Sequence, residues 1–413
     1  MSAVYLDGTV AMSVTQTQCI VVGAGPAGVF TSLLLARRGV DVTLLEMHRD
    51  FDRDFRGDTV HASTLAVLDQ IGLAEPLLAL PHAKMRSITL NTPSGAIQMV
   101  DFSRLKTRFP YVMIIPQHVF LDFLTTQARA HHTFHLRLGA QVVDVLKHRE
   151  RIVGVRYIED GVERELRAPL TVACDGRFSR MRKIMRLDSI AQSPPMDVAW
   201  LRLPRRDEDG HDTGVFYIGG GRMLVMFNRP DTWQIGYALP KGNFAQVKAL
   251  GLEEFRKSIG QLAPWISDRT DAIRDWHDVH LLSVKSDRLA RWYYPGVMFI
   301  GDAAHVMSPV FGVGINYAIA DAVELVNVAT DALLRGHVSQ SVLAQVQRRR
   351  ERPTRIIQRL QGVAQERIVS RALAGREFNL PWPIRALRHV PRLRDVPARI
   401  IATGLTPLKL AKV

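Results

Sequence analysis

Gln18-Cys19-Ile20-Val21-Val22-Gly23-Ala24-Gly25-Pro26-Ala27-Gly28 is the stretch on which the fold turns. A short apolar run reads as a buried strand, and the glycines after it match G-x-G-x-x-G. A helix follows to about Arg38, Gly39 stops it, and Val42–Leu45 reads as a second strand ending in the acid Glu46. The result is one compact βαβ unit. In such a unit the first glycine permits a tight turn, the second lets backbone N–H groups approach a pyrophosphate, and the third lets the helix pack close on the strand. The helix start stabilises phosphate charge, and Glu46, 23 residues after Gly23, can accept from a ribose hydroxyl. The motif predicts a bound dinucleotide and leaves NAD and FAD both open.

Cys19–Ala36 carries no charge over 18 residues, the length of a membrane span or a signal core. Neither reading stands: no Lys or Arg precedes it, and the glycines with Pro26 divide it into a strand and a separate helix start. The leader through Thr17 reads as a loose extension, with Met12 as a candidate internal start.

Two further blocks place an acid at the end of an apolar strand. The first is Gly301-Asp302-Ala303-Ala304-His305, after Val297–Ile300 and before Ser308-Pro309-Val310-Phe311-Gly312-Val313-Gly314-Ile315-Asn316. An acid there sits in the crevice where such sheets bind ligands, so Asp302 can hold a polyol chain. The glycines let the loop press on a flat ring system, and the helix after it aims its N-terminal dipole at that ring. The second block is Ala173-Cys174-Asp175-Gly176, with Arg182 in the helix that follows.

These three blocks, in this order and spacing, resemble the class A flavoprotein monooxygenases, the family of para-hydroxybenzoate hydroxylase and the ubiquinone-biosynthesis hydroxylases; the resemblance spans roughly Gln18 to Leu334. It implies that Gly23, Gly25, Ala27, Gly28 and Glu46 hold the ADP half of FAD. Gly301 and Asp302 would hold the ribityl chain, and Pro309, Phe311, Gly312, Gly314, Ile315 and Asn316 would line the isoalloxazine, the first three beside the reacting position. Asp175 and Gly176 would serve FAD and a transient NAD(P)H. Arg56 would meet the pyrophosphate, Gln117 the ribityl region, and His61 would lie close to the flavin as a catalytic candidate.

The activity implied is an FAD-dependent, NAD(P)H-driven monooxygenase that hydroxylates an aromatic or other electron-rich small molecule through a flavin peroxide adduct. An FAD-dependent reductase or dehydrogenase without oxygen insertion is the enzymatic alternative, and a non-catalytic flavin-fold surface adaptor the other. The W-x-W-x-I-P signature of flavin halogenases is absent, since the tryptophans at 200, 233, 265, 276, 292 and 382 never stand two apart. Phe311 departs from the family loop, which has glycine there.

The expected fold is α/β, a Rossmann-like FAD-binding domain with an inserted antiparallel-sheet substrate domain and a helical C-terminal tail. Residues 16–85, 101–190 and 276–335 are assigned to the FAD-binding domain, 86–100 and 191–275 to the substrate domain, and 336–413 to the basic tail. Tyr217, Met226 and Gln234 on the inserted strands are candidate substrate contacts, with Met223 and Met226 on opposite faces by alternation. The substrate domain's Met and aromatic content suits an apolar or weakly polar aromatic substrate, taken with O₂.

At 413 residues, 47% hydrophobic and 23% charged, the chain has the composition of a globular enzyme of two or three domains. The net charge of +14 is concentrated at the end: residues 348–413 hold sixteen Lys and Arg against four acids, leaving the first 347 residues near neutral. That distribution excludes a broad nucleic-acid footprint. The tail is expected to be a separate module, dispensable for FAD binding, with Pro breaks at Pro353, Pro381, Pro383, Pro391 and Pro397 and a candidate role in weak peripheral contact with anionic membranes. Two cysteines, Cys19 and Cys174, give no disulfide framework, which points to the cytoplasm; no metal site is expected, and the assembly is expected to be a monomer or homodimer.

Overall fold

The computed structural model describes residues 14–52, 57–192, 194–210, 212–375 and 390–411. The chain begins with β1 (Cys19–Val22), α1 (Pro26–Arg37) and β2 (Val42–Glu46), followed by α2 (Ala62–Gln70) and the hairpin β3 (Ser87–Thr92) and β4 (Gly95–Asp101). Next come α3 (Gln117–Arg129), β5 (Phe134–Leu138), β6 (Leu170–Ala173) and the short α4 (Arg180–Ile184). The inserted strands are β7 (Met196–Pro204), β8 (Thr213–Gly219), β9 (Arg222–Asn228) and β10 (Thr232–Pro240), with α5 (Leu252–Leu262) and β11 (His280–Leu282). The remainder is β12 (Tyr293–Tyr294), β13 (Val297–Phe299), α6 (Gly314–Leu334), α7 (Gln340–Ala364) and α8 (Asp395–Thr403).

Every residue of β1, β2, β6 and β13 is buried, as strands covered on both faces must be, which is why they read as largely apolar runs without polar alternation. They form the centre of a six-stranded sheet in the order β12–β13–β6–β1–β2–β5, parallel except for the edge strand β12. This order has a consequence for the site. Gly23, Glu46, Cys174-Asp175 and Gly301-Asp302 follow the C-terminal ends of four adjacent strands, so blocks far apart in sequence meet along one edge. Val14–Gln16, expected in a loose leader, instead pairs in parallel with Val162–Arg167; residues 1–13 lie outside the described residues.

Residues 310–334 make up the one stretch of helix, among those described, that is long and apolar enough to cross a membrane. It is mostly buried within the fold, with α1 packed against it, as a core helix is.

The second sheet has the order β11–β7–β10–β9–β8–β3–β4. The hairpin β3–β4 is joined to it through a parallel pairing of β3 with β8, so the sheet is mixed rather than purely antiparallel. Alternation separates its two faces. Leu201, Leu224, Met226, Trp233, Ile235 and Tyr237 pack with Phe255 and Ile259 of α5. The opposite face carries Val198, Ile218, Met223 and Ala238, packed with Val310 of the glycine-rich loop and with Val369 and Ala372 of the C-terminal arm.

That arm overturns the expectation of a separate, proline-broken tail. Pro353 lies inside α7 and is buried there with Thr354 and Ile357, and Thr354 Oγ donates to the Arg350 carbonyl at 2.8 Å. The helix continues through a π-turn at Gln365–Val369 into 370–373. Residues 376–389, with Pro381 and Pro383, lie outside the described residues. Beyond them Ala398, Ile401 and Ala402 of α8 are buried in the core around the six-stranded sheet. The last described residues are strapped down as well, Leu410 N–H donating to Gln70 and Ala411 N–H to Asn327, and at the start of α8 Arg104 pairs with Asp395.

Candidate active site

The glycines of the first turn are required for different reasons. Gly23 has φ +96°, and a Cβ there would lie 2.7 Å from the Cys174 carbonyl. A Cβ on Gly28 would lie 1.9 Å from the Gly23 oxygen. These two close the turn against β6 and against itself. Gly25, at the N-cap of α1, has an ordinary φ of −74° and nothing within 4 Å of where a Cβ would stand. The fold does not need glycine there, and the open space leaves room for a ligand across the helix start. The first turn of α1 holds no acid, so its N–H groups and dipole favour an anion. Glu46 is turned onto this cradle, its carboxylate accepting from Ala24 N–H at 2.8 Å and from His48 N–H at 3.0 Å. The cradle fits the pyrophosphate of a dinucleotide.

The turn carrying Asp302 is pressed against the same cradle. Gly301 has φ +57°, and a Cβ there would lie 3.2 Å from the methyls of both Ala27 and Ala318. Its N–H donates to Asp321 at 3.0 Å. Arg182 comes from α4 and donates to the Ala303 carbonyl and, at 3.2 Å, to the Asp302 carbonyl, while pairing with Asp287 at 2.9 Å. Asp302 therefore stands on a backbone fixed by side chains from three other elements.

Asp321 is the hub of a buried ionic cluster that the sequence reading did not single out. It is fully buried, 2.6 Å from His305 Nε2 and 2.8 Å from Arg350 Nε. Burial works to raise its pKa, but His305 and Arg350 together hold it below the usual carboxylate value. The signal was available: an acid in the middle of an apolar helix, with Arg350 on the basic segment that had been assigned to a separate tail.

Several expected ligand groups are committed to the protein itself. The Asp175 carboxylate accepts from Ser179 Oγ at 2.6 Å and from Met181 N–H at 2.8 Å, so it caps α4, while its backbone lies beneath Gly23. Asn316 accepts from His61 N–H and Thr64 Oγ and donates to the Thr59 carbonyl, locking the start of α6 to α2. His61 is corrected from a catalytic candidate to a clip. It is buried, its Nδ1 donates to the Ile401 carbonyl of α8 at 2.7 Å, and its ring also faces the Gly312 backbone. Burial pushes its imidazole down to about 4, against those two hydrogen bonds.

The glycine-rich loop turns sharply between Pro309 and Val313. Phe311 has φ +72° and Gly312 φ +61°, the Gly312 N–H donates to Pro309 at 3.0 Å, and Thr59 Oγ donates to the Gly312 carbonyl at 2.9 Å. The Phe311 ring packs against the cluster of Met307, Val313, Tyr317 and Ile357, a covering position over α6 and α7. Gly314 and Ile315 open α6, with Ile315 against Gly57. Gly176 has φ +77° and open space around it. Gln117 opens α3 and gives its backbone N–H to Asp58, which pairs with Arg229 of the second sheet. Arg56 lies outside the described residues.

Among the substrate candidates, Gln234 is on the face of the second sheet turned to the FAD-binding domain, 5% exposed, and its Oε1 is buried without a partner. Tyr217 and Met226 are corrected: both belong to the face packed under α5, and the Tyr217 hydroxyl accepts from Trp265. Register puts Phe227 beside Gln234, and Trp200, Val225 and Phe216 in the next row of the same face. No group of three metal-ligating side chains occurs among the described residues.

A dinucleotide cradle, an acid-bearing turn pressed against it and a glycine-rich loop packed on the inserted sheet suit a flavoprotein of the hydroxylase type. Residues 16–360 match the family described as FAD binding domain, and the chain belongs to that family. It is 31% identical over 350 residues to 6-methylpretetramide 4-monooxygenase of Streptomyces rimosus, covering 82% of each chain. It is 24% identical to pentachlorophenol 4-monooxygenase of Sphingobium chlorophenolicum, over 74% of this chain but only 56% of that longer protein. The crystal structure of pqsL, a probable FAD-dependent monooxygenase from Pseudomonas aeruginosa, superposes with a TM-score of 0.75 at 19% identity, over 87% of this chain and 99% of that one. The cofactor is FAD and the enzyme is an FAD-dependent monooxygenase.

Proposed function

We propose that the chain hydroxylates an electron-rich aromatic ring, using NAD(P)H and O₂, in the cytoplasm and as a monomer or homodimer. The observation that carries this is the open face of Gly25 at the start of α1, with Glu46 and the Asp302 turn joined to it. Gly23–Gly28 and Glu46 would hold the ADP half of FAD, Asp302 the ribityl chain, and Pro309–Ile315 the ring. When bound, reduced FAD supplies the activation of O₂. The chain's own work is to orient the substrate and to keep water from the ring.

The wall of Trp200, Phe216 and Phe227, with Val225 between them, suits a flat apolar substrate, and the unpaired Oε1 of Gln234 suits a hydroxyl or N–H donor on it. The names of the two relatives, both 4-monooxygenases, point to the same chemistry. Weak membrane contact rests only on Val390, Leu393 and Val396, which stay exposed on the strap.

Purified protein should release FAD on denaturation and consume NAD(P)H faster in the presence of a phenolic substrate, with product heavier by one oxygen. A colourless protein that takes up no FAD would favour the adaptor reading; substrate oxidation without gain of oxygen would favour the dehydrogenase.

A further inference from the structure

The buried face of α7 and the π-turn after it carries a row of glutamines at 347, 358, 361 and 365. Three of them end on the segment that leads into the glycine-rich loop. Gln358 Nε2 donates to the carbonyls of Asp287 and Val306 at 3.0 and 3.2 Å. Gln361 Nε2 forks between the carbonyls of Ser308 and Val310 at 2.9 and 2.7 Å. Gln365 Nε2 reaches Ser308 Oγ at 2.8 Å, from the point where the helix widens into its π-turn. Gln358, Gln361 and Gln365 are at most 4% exposed.

These amides are unusual as core residues. The Oε1 atoms of Gln358 and Gln361 are buried with no partner, so each amide is retained for its donors at the expense of a buried acceptor. An apolar side chain would pack as well without that cost. What the donors hold is specific. Gln361 fixes the two carbonyls that bracket Pro309, and the next residue is Phe311, at φ +72° in the left-handed region that a non-glycine side chain disfavours. The loop conformation that brings Gly312 round is thus held from behind by the C-terminal arm. π-Turns inside α-helices recur at functional sites.

We propose that Gln361, seconded by Gln365, is a positioning residue for oxygenation. It sets Ser308–Val310, and through them Phe311 and Gly312, in the conformation the loop needs against the flavin. The C-terminal arm thereby governs how tightly NAD(P)H consumption is coupled to hydroxylation. The inference rests on the proposed placement of the loop at the ring.

The test compares Gln361→Met and Gln365→Met with Gln347→Met in the full chain. Gln347 is on the same helix and makes comparable hydrogen bonds, to Ala290 and Trp292, away from the loop. The first readout, in FAD-free protein, is hydrogen exchange at the Gly312 amide, which is protected by Pro309. The second, in holoenzyme, is H₂O₂ released per NAD(P)H together with the visible spectrum of bound flavin. Gln361→Met should exchange about tenfold faster at Gly312, release several-fold more H₂O₂ and shift the spectrum, with FAD still bound. Gln365→Met should do the same to a smaller extent, while Gln347→Met lowers Tm but leaves all three readouts as in the wild type. If Gln361→Met and Gln347→Met behave alike, or Gly312 exchange is unaltered, the proposal is overturned. Should Gln361→Met not fold, Gln365→Met decides on the same readouts. If the wild-type protein binds no FAD, the functional reading fails, whereas the exchange comparison still reports separately on whether Gln361 holds the loop.

Discussion

Replacing His61 with glutamine should remove a pH dependence from the stability of this protein. The imidazole is buried, clips α2 to the Ile401 carbonyl of α8, and is held at about 4, against about 6.5 in an unfolded chain. Because the native value lies below the unfolded one, the unfolded state takes up the proton first as the pH falls. The contribution of the neutral clip is complete above pH 6.5 and is lost between there and pH 4. At 1.36 kcal/mol per unit, wild-type stability from this group should fall by about 2 kcal/mol between pH 7 and pH 4.5. A glutamine amide can still donate to Ile401 but does not titrate. Urea unfolding of wild type and His61→Gln at pH 7, 5.5 and 4.5 gives the difference in stability at each pH, from which other titrating groups cancel. The wild type's advantage should shrink by about 2 kcal/mol over that range. A difference constant with pH would refute the assignment of His61 as a buried neutral clip.

Gly25→Val should leave the Tm of FAD-free protein within a degree or two of wild type, on the order of 0.5 kcal/mol, while abolishing FAD uptake measured by fluorescence quenching; Gly28→Ala should instead destabilise by about 1–3 kcal/mol because its Cβ meets the Gly23 carbonyl. Arg350→Met should cost about 3–5 kcal/mol in urea unfolding, since it strips one partner from the fully buried Asp321, and the double variant with Asp321→Asn should recover part of that loss. Phe311→Gly should change stability by no more than about 1 kcal/mol, because relief of the left-handed strain offsets lost packing and added chain entropy; a cost of about 3 kcal/mol in the same assay would show that the turn is not strained.

The βαβ unit was legible because its determinants are local: an apolar run, glycines at fixed offsets, an acid at the second strand's end. Gly23 and Gly28 stand where their backbone neighbours leave no room for a side chain, and spacing alone locates them. The side chains in the site were less legible. Asp175, Asn316 and His61 are the right residue types in the right place, yet their hydrogen bonds go to helix caps and to α8, a partner more than 300 residues away in the case of His61. Alternation correctly separates Met223 from Met226, but which face meets the FAD-binding domain depends on how the sheet docks, and Met226 proved to be on the other side. The C-terminal arm was misread because charge and proline dominate its composition. Its buried face, from Gln347 through Arg350, Thr354 and Gln358 to Gln361, is a helical repeat of polar residues that only the fold supplies with partners.

Insertion of oxygen into an aromatic substrate is the step that separates this enzyme from an FAD-dependent dehydrogenase. Turnover under ¹⁸O₂ in ordinary water, with NAD(P)H and a phenolic substrate, tests it most directly by mass spectrometry of the product. One labelled oxygen per product molecule is expected. Product formed with no ¹⁸O, or with oxygen drawn from water, would contradict it.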